Sequence, residues 1–86
     1  MFGVEIEKRC LRELKKQDKG FVKQAFGLVS GTIAKDPYVG KPLKGRYKGL
    51  FSYRFGDYRI VYEIDGSKIK IMILRIAHRK NVYDGL

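Results

Sequence analysis

The sequence predicts an α+β fold in which two N-terminal helices pack on one face of a mainly antiparallel sheet. Apolar residues recur at helical spacing through the first part of the chain. The second part contains runs rich in β-branched and aromatic residues, separated by Gly-Asp and Asp-Gly pairs that favour tight turns. The predicted order is β-α-α-β-β-β. A chain of 86 residues supports a single core, so one domain is expected over residues 1–86.

The N-terminal elements follow from the spacing of apolar residues. Residues 2–6, FGVEI, alternate well enough for a short first strand. A helix should follow, because Leu11 and Leu14 lie about one turn apart among good helix formers. The Asp-Lys-Gly sequence at 18–20 should end it. A second helix should lie against the sheet, because it carries a wide apolar face made of Val22, Ala25, Phe26, Val29 and Ile33.

The second half of the chain is predicted to form an antiparallel meander. Residues 35–49 hold both prolines, three glycines and five basic residues, so they are interpreted as a connecting segment without a core pattern. Three predicted strands follow, at residues 50–55, 58–64 and 68–77. Hairpin turns at Gly56–Asp57 and Asp65–Gly66 should join them. The first strand is expected at an edge of the sheet or beside the last strand.

Strand parity predicts which side chains are free to bind a ligand. Successive side chains of a strand point to opposite faces. In the middle strand of the meander, Ile60 and Tyr62 should therefore face the helices, which leaves Arg59 on the open face. Arg54 joins Arg59 there if its aromatic neighbours face the core. The last strand is apolar on both sides, so parity does not orient it.

Charge narrows the possible partners. The chain has 19 Lys and Arg against 9 Asp and Glu, a formal net charge of +10. Residues 41–86 hold 11 basic and 4 acidic residues and so contribute +7. Such an excess predicts attraction to polyanions or to an acidic protein.

Other classes of site find little support in the composition. The single Cys10 allows neither an intramolecular disulfide nor a cysteine-based zinc site. The single histidine has no clustered carboxylates near it, so neither a metal nor a cofactor is expected. No apolar run has the length of a signal or membrane segment, which predicts a cytoplasmic protein with no membrane partner.

The segment RIAHRKNVY brings together His78, Arg79 and Tyr83 near the end of the last predicted strand. With the two open-face arginines, it combines cations and an aromatic ring. That combination suits single-stranded nucleic acid, because cations follow phosphates and a ring stacks on a base. The alternative is a solvated strand end where three such residues are merely neighbours. The pattern alone does not separate binding from cleavage.

The sequences PLKGRYKGLFSYRFGDYRIVYEI and ILRIAHRKNVY resemble the C-terminal half of the RelE/ParE superfamily of toxins from toxin–antitoxin pairs. The order HR followed by VY is similar to the RelE-type, ribosome-dependent mRNA interferases. The ParE-type gyrase inhibitors usually lack the full set. The resemblance implies a RelE-like microbial RNase fold and metal-independent cleavage of mRNA in the ribosomal A site. It also implies a type II toxin–antitoxin system with an acidic antitoxin as inhibitor.

The resemblance also implies residue roles. Arg59 matches an arginine that stabilises the phosphate, Arg79 an arginine on the leaving-group side, and Tyr83 a tyrosine that stacks on or positions a base. Arg54 stands where one branch of the family has a lysine proposed as base. Because arginine stays protonated, Arg54 is assigned to phosphate binding. His78 is the candidate for proton transfer, since histidine titrates near neutral pH.

Lys44, Arg46 and Lys48 are predicted to form a basic loop that touches RNA or the ribosome without specificity. The alternatives to a ribosome-dependent endoribonuclease are a ParE-like inhibitor of DNA gyrase without nuclease activity and a basic RNA-binding module.

Overall fold

A computed structural model describes residues 1–86. Its regular elements are β1 (Gly3–Ile6), α1 (Lys8–Leu14), α2 (Lys19–Leu28), β2 (Lys41–Pro42), β3 (Leu50–Phe55), β4 (Tyr58–Asp65) and β5 (Lys70–His78). A π-helical turn, Val29–Ile33, continues α2, and short 3₁₀ turns lie at Pro37–Val39 and Gly45–Tyr47. No helix is long and apolar enough to cross a membrane.

The five strands form one sheet in the order β1-β5-β4-β3-β2. The pairs from β2 to β5 are antiparallel, and β1 lies at the edge, parallel to β5. The predicted fold class is confirmed, including a first strand that is both at an edge and beside the last strand. No helix interrupts residues 50–77, as the predicted meander requires.

Both helices begin at acidic caps and cover one face of the sheet. The Glu7 carboxylate accepts hydrogen bonds from the first turn of α1, and the Asp18 carboxylate does the same for α2. The buried core joins helical residues to Ile60, Tyr62, Ile71 and Ile73 of the sheet. The inward orientation predicted for Ile60 and Tyr62 is therefore correct.

The segment 35–49 departs from the prediction of a simple connection. Pro37 and Gly40 are buried, and Lys41–Pro42 pairs with Ser52 and Phe51 as the outer strand of the sheet. The Tyr62 hydroxyl donates a hydrogen bond to the Pro37 carbonyl at 2.6 Å. A methyl group on Gly40 would overlap that hydroxyl, so glycine is required there. A two-residue edge strand has no periodicity, which is why sequence reasoning missed it.

A bulge in β5 decides which face each of its side chains occupies. Val61 pairs with Arg75 but Tyr62 pairs with Ile73, so Leu74 is an extra residue in β5. Ile73 and Ile76 consequently both point into the core, although they are three residues apart.

Beyond the bulge, the pairing of β4 with β5 assigns the remaining side chains. Residues that pair directly across a sheet share a face. Ala77 therefore lies on the open face with Arg59, whereas His78 lies on the helix-covered face with Tyr58. The ring of Tyr58 contacts that of Phe21 from α2, at 4.7 Å between centroids, as expected for the helix-covered face.

Candidate active site

An open groove of about 390 Å³ lies on the face of the sheet away from the helices. We call it the cationic groove; its lining residues are Lys41, Leu43, Ser52, Arg54, Arg59, Arg79 and Tyr83. Four of the seven are cations and none is acidic. None of the four takes part in an ion pair, since the ion pairs of this chain involve only Arg9, Lys70 and Arg75 on the basic side. The groove is therefore a concentration of uncompensated positive charge.

The β3–β4 hairpin holds Arg54 and Arg59 directly opposite each other. Its tight turn begins at Gly56, whose φ of +59° lies in the left-handed region that glycine adopts readily. Like charges placed directly across a sheet are destabilising. No carboxylate offsets this pair, so the arrangement does not serve stability; it is suited to an anion.

Arg79 reaches the groove through a long-range backbone contact. Its N–H donates to the carbonyl oxygen of Asp57 at 2.8 Å, which joins the end of β5 to the β3–β4 turn. Arg79, which is exposed, then lies beside the two sheet arginines. Tyr83 follows on the same C-terminal segment and completes the lining. The structure thus brings together Arg54, Arg59, Arg79 and Tyr83, as the sequence predicts.

The predicted basic loop lies outside the cationic groove. Lys44, Arg46 and Lys48 are exposed on or beside the Gly45–Tyr47 turn, and none of them lines the groove. The lysine that does line it is Lys41, which β2 holds opposite Ser52. Sequence reasoning missed Lys41 because its position depends on the pairing of a strand only two residues long.

His78 does not join the arginines. It lines a separate depression of about 260 Å³ with Glu13, Gln17 and Tyr58 among its neighbours. The imidazole Nδ1 accepts a hydrogen bond from the Lys80 N–H at 3.2 Å, and the ring meets Tyr58 edge-on at 5.5 Å. This contact caps the turn that follows β5 and leaves the neutral ring protonated at Nε2. Proton transfer by His78 stays a prediction.

Arg75 was not singled out from the sequence, yet it holds the C-terminal segment. Its side chain is only 10% exposed, and Nη2 contacts the Glu13 carboxylate at 3.3 Å. Nη1 donates to the carbonyl oxygens of Asn81, at 2.8 Å, and of Asp84. These two carbonyls flank Tyr83. The sequence feature that could have indicated this role is a lone arginine inside the apolar run of β5.

Residues 4–83 match the family model described as the ParE toxin of the type II toxin–antitoxin system parDE. The fold, the basic groove and this match together define a toxin of a type II toxin–antitoxin system. The chain belongs to the RelE/ParE superfamily, as the sequence motifs predict.

Two relatives come from Mycobacterium tuberculosis. The toxin RelG is 36% identical over 83 residues, which cover 95% of both chains. The toxin RelE is 34% identical over 83 residues, covering 95% of this chain and 86% of the relative.

Solved structures agree with this assignment. A chain of the toxin–antitoxin complex RelBE2 from M. tuberculosis superposes with a TM-score of 0.84 at 33% identity, covering 91% of this chain and 98% of that one. A chain of the Escherichia coli RelBE complex superposes with a TM-score of 0.76 at 17% identity, covering 91% of this chain and 96% of that one. A likeness at this level of identity supports the fold alone.

Proposed function

We propose that this toxin is a ribosome-dependent endoribonuclease that cleaves mRNA. One observation carries the proposal: the cationic groove gathers Arg54, Arg59 and Arg79 beside Tyr83 without a neutralising carboxylate. Relatives named RelE and RelG, at 34% and 36% identity, support the RelE side of the superfamily. The ribosomal A site as the place of action comes from the resemblance of the HRKNVY motif to the RelE-type interferases.

The reaction is an in-line displacement at phosphorus. The ribose 2′-oxygen forms a bond to the adjacent phosphorus as the bond to the 5′-oxygen breaks. The 2′-hydroxyl loses a proton and the leaving 5′-oxygen gains one, so the products are a 2′,3′-cyclic phosphate and a free 5′-hydroxyl. Negative charge builds up on the phosphorane, and preorganised cations aimed at that charge are an effective source of catalysis.

The groove supplies that charge stabilisation with planar guanidinium groups. Arg54 and Arg59 are assigned to the non-bridging phosphate oxygens, because they face each other across the hairpin. Arg79 is assigned to the leaving-group side and Tyr83 to stacking on a base. Arginine does not act as a base at neutral pH, because its guanidinium group stays protonated. The arginines therefore act electrostatically. The sequence predicts His78 for proton transfer, but His78 lies outside the cationic groove. We therefore let solvent water accept the 2′-proton and protonate the leaving 5′-oxygen.

The partner proposed to inhibit the toxin is an acidic antitoxin. The net charge of +10 favours an acidic binding partner. The similar chain of known structure at 33% identity comes from a toxin–antitoxin complex, RelBE2 of M. tuberculosis.

The test is induced expression in growing bacteria, followed by mapping of mRNA 5′ ends and of DNA breaks. We expect new 5′-hydroxyl ends within codons, dependent on translation of the message. Arg79→Ala should abolish them, whereas Lys80→Ala should not, because Lys80 is also exposed but lies outside the groove. Double-strand breaks with intact mRNA would reject the proposal and favour gyrase inhibition. RNA binding without cleavage or breaks would favour the binding-module alternative.

A further inference from the structure

Tyr83 is stacked on a second tyrosine that is 36 positions away in the sequence. The ring centroids of Tyr47 and Tyr83 lie 5.1 Å apart, with an angle of 29° between the planes. On the Tyr47 ring, in turn, lies the guanidinium of Arg46, with its Cζ 5.5 Å from the centroid. Offset stacking of rings and arginine–ring contact are both favourable arrangements. We call these three side chains the aromatic ladder.

Only one member of the aromatic ladder lines the cationic groove. Tyr83 contributes to its wall, whereas Tyr47 and Arg46 do not. One face of the Tyr83 ring is therefore taken up by Tyr47, and the other face is the one available to a ligand. A ring supported in this way is held in one orientation, which lowers the entropy lost when a ligand stacks on it.

The backbone around Tyr47 is shaped for this contact. Tyr47 ends the short 3₁₀ turn that Gly45 begins, and Gly49 follows two residues later. Gly45 and Gly49 have φ values of +64° and +97°, in the left-handed region. A Cβ on either glycine would meet no atom within 4 Å, so glycine serves the backbone conformation here rather than close packing.

We propose that Tyr47 is a positioning residue of a nucleobase-binding site. It fixes the Tyr83 ring so that one base of single-stranded RNA stacks on the free face while the groove arginines hold the neighbouring phosphate. Stacking of this kind accepts any base. The inference rests on the proposed function, since it assigns RNA to the cationic groove.

The test measures binding of the free toxin to two short oligonucleotides at low ionic strength. Both carry 2′-O-methyl riboses, which block cleavage, and one lacks a single base at a central position. The wild-type protein should prefer the intact oligonucleotide. Tyr47→Ala should weaken its binding about tenfold, the loss expected of one base stack, and leave binding of the abasic one unchanged. Tyr47→Phe should bind like the wild type.

A double substitution tests whether Tyr47 acts through Tyr83. Tyr83→Ala should lose the preference for the intact oligonucleotide, and adding Tyr47→Ala should weaken binding no further. Lys48→Ala is the matched control beside the same turn; because Lys48 does not line the groove, it should leave the preference for the intact oligonucleotide unchanged. Tyr47→Leu keeps an apolar side chain in place; it should fold and still behave like Tyr47→Ala.

Three results would overturn the inference: equal weakening of both oligonucleotides by Tyr47→Ala, additive losses in the double variant, or no preference for the intact oligonucleotide in the wild type. Each is independent of the mRNA mapping described above. A toxin that cleaves mRNA in cells but shows any of these results keeps its proposed activity and loses the role of Tyr47. The absence of a preference in the wild type would also remove base stacking by Tyr83.

Discussion

The Arg75 guanidinium donates a hydrogen bond to the carbonyl oxygen of Asn81 at 2.8 Å, and so anchors the C-terminal segment to the interior strand β5. The same nitrogen also donates to Asp84, so the backbone is held on both sides of Tyr83. Arg75 is buried, at 8% exposure, and its sequence neighbour Ile76 is part of the core. The groove residues contributed by the C-terminal segment therefore depend on a buried charge outside the groove.

Replacing Arg75 should loosen this segment. Arg75→Met should lower the free energy of unfolding by about 2–3 kcal/mol, because bonds from a charged donor are lost and Glu13 keeps only the longer contact with Arg9, at 4.0 Å. The matched control is Arg9→Met, since the exposed Arg9 donates to the same segment over 3.4 and 3.5 Å. It should cost less than about 0.5 kcal/mol. Urea unfolding measures both, and equal losses would contradict the anchoring role of Arg75.

Arg79 is expected to act in the transition state. Arg79→Ala should lower the cleavage rate by about 10²–10³-fold and barely change ribosome binding, since the charge it stabilises appears only during reaction. Arg79→Lys should restore part of the rate, because an ammonium does not reproduce the planar fork of the guanidinium. Single-turnover cleavage on programmed ribosomes gives the rates. A parallel loss of binding and rate would make this strand end a docking surface.

Substitution of His78 tests whether its imidazole transfers a proton in the reaction. From its position on the helix-covered face, we expect His78→Gln to keep the rate within a few fold and to leave the pH–rate profile unchanged. The glutamine carbonyl can accept the Lys80 N–H as the imidazole Nδ1 does. Loss of most activity together with a limb of the profile near neutral pH would instead assign His78 as base or acid.

We expect Lys41 to contribute more than the basic loop to RNA binding. Lys41→Met removes a groove cation and should reduce the slope of log K against log salt by about 0.7, the value for one phosphate contact on a single strand. Lys44→Met removes another exposed lysine, which lies outside the groove, and should leave the slope nearly unchanged. Binding titrations at several salt concentrations compare the two. A larger change for Lys44 would restore the loop as the principal contact.

Tyr62 gives a stability prediction at high pH. Burial raises the pKa of Tyr62 from 10.0 to about 12, so its stabilising contribution is complete below pH 10 and is lost as the pH rises towards 12. Tyr62→Phe should cost about 1–2 kcal/mol at pH 8, because the Pro37 carbonyl loses its donor.

The difference between wild type and Tyr62→Phe should narrow at pH 11 in urea unfolding. Burial also raises the pKa of Cys10, from 9.0 to about 11, and that contribution is common to both proteins. A difference that is constant from pH 8 to pH 11 would contradict the prediction for Tyr62.

Sequence reasoning alone predicted the fold class, the inward face of β4 and four residues of the cationic groove. Those inferences rest on local signals. The Gly56–Asp57 pair sets the hairpin that places Arg54 opposite Arg59, and alternation along β4 sends Ile60 and Tyr62 inward. The motif HRKNVY supplied Arg79 and Tyr83 through resemblance rather than through periodicity.

The other features of the site depend on contacts between residues that are far apart in the sequence. The bulge at Leu74 turns His78 to the face opposite Arg59, and an apolar run carries no sign of it. Lys41 reaches the groove through the pairing of β2 with β3, and Tyr47 reaches Tyr83 across 36 positions. Local periodicity describes one element at a time, whereas register, bulges and loop packing are set by neighbouring elements.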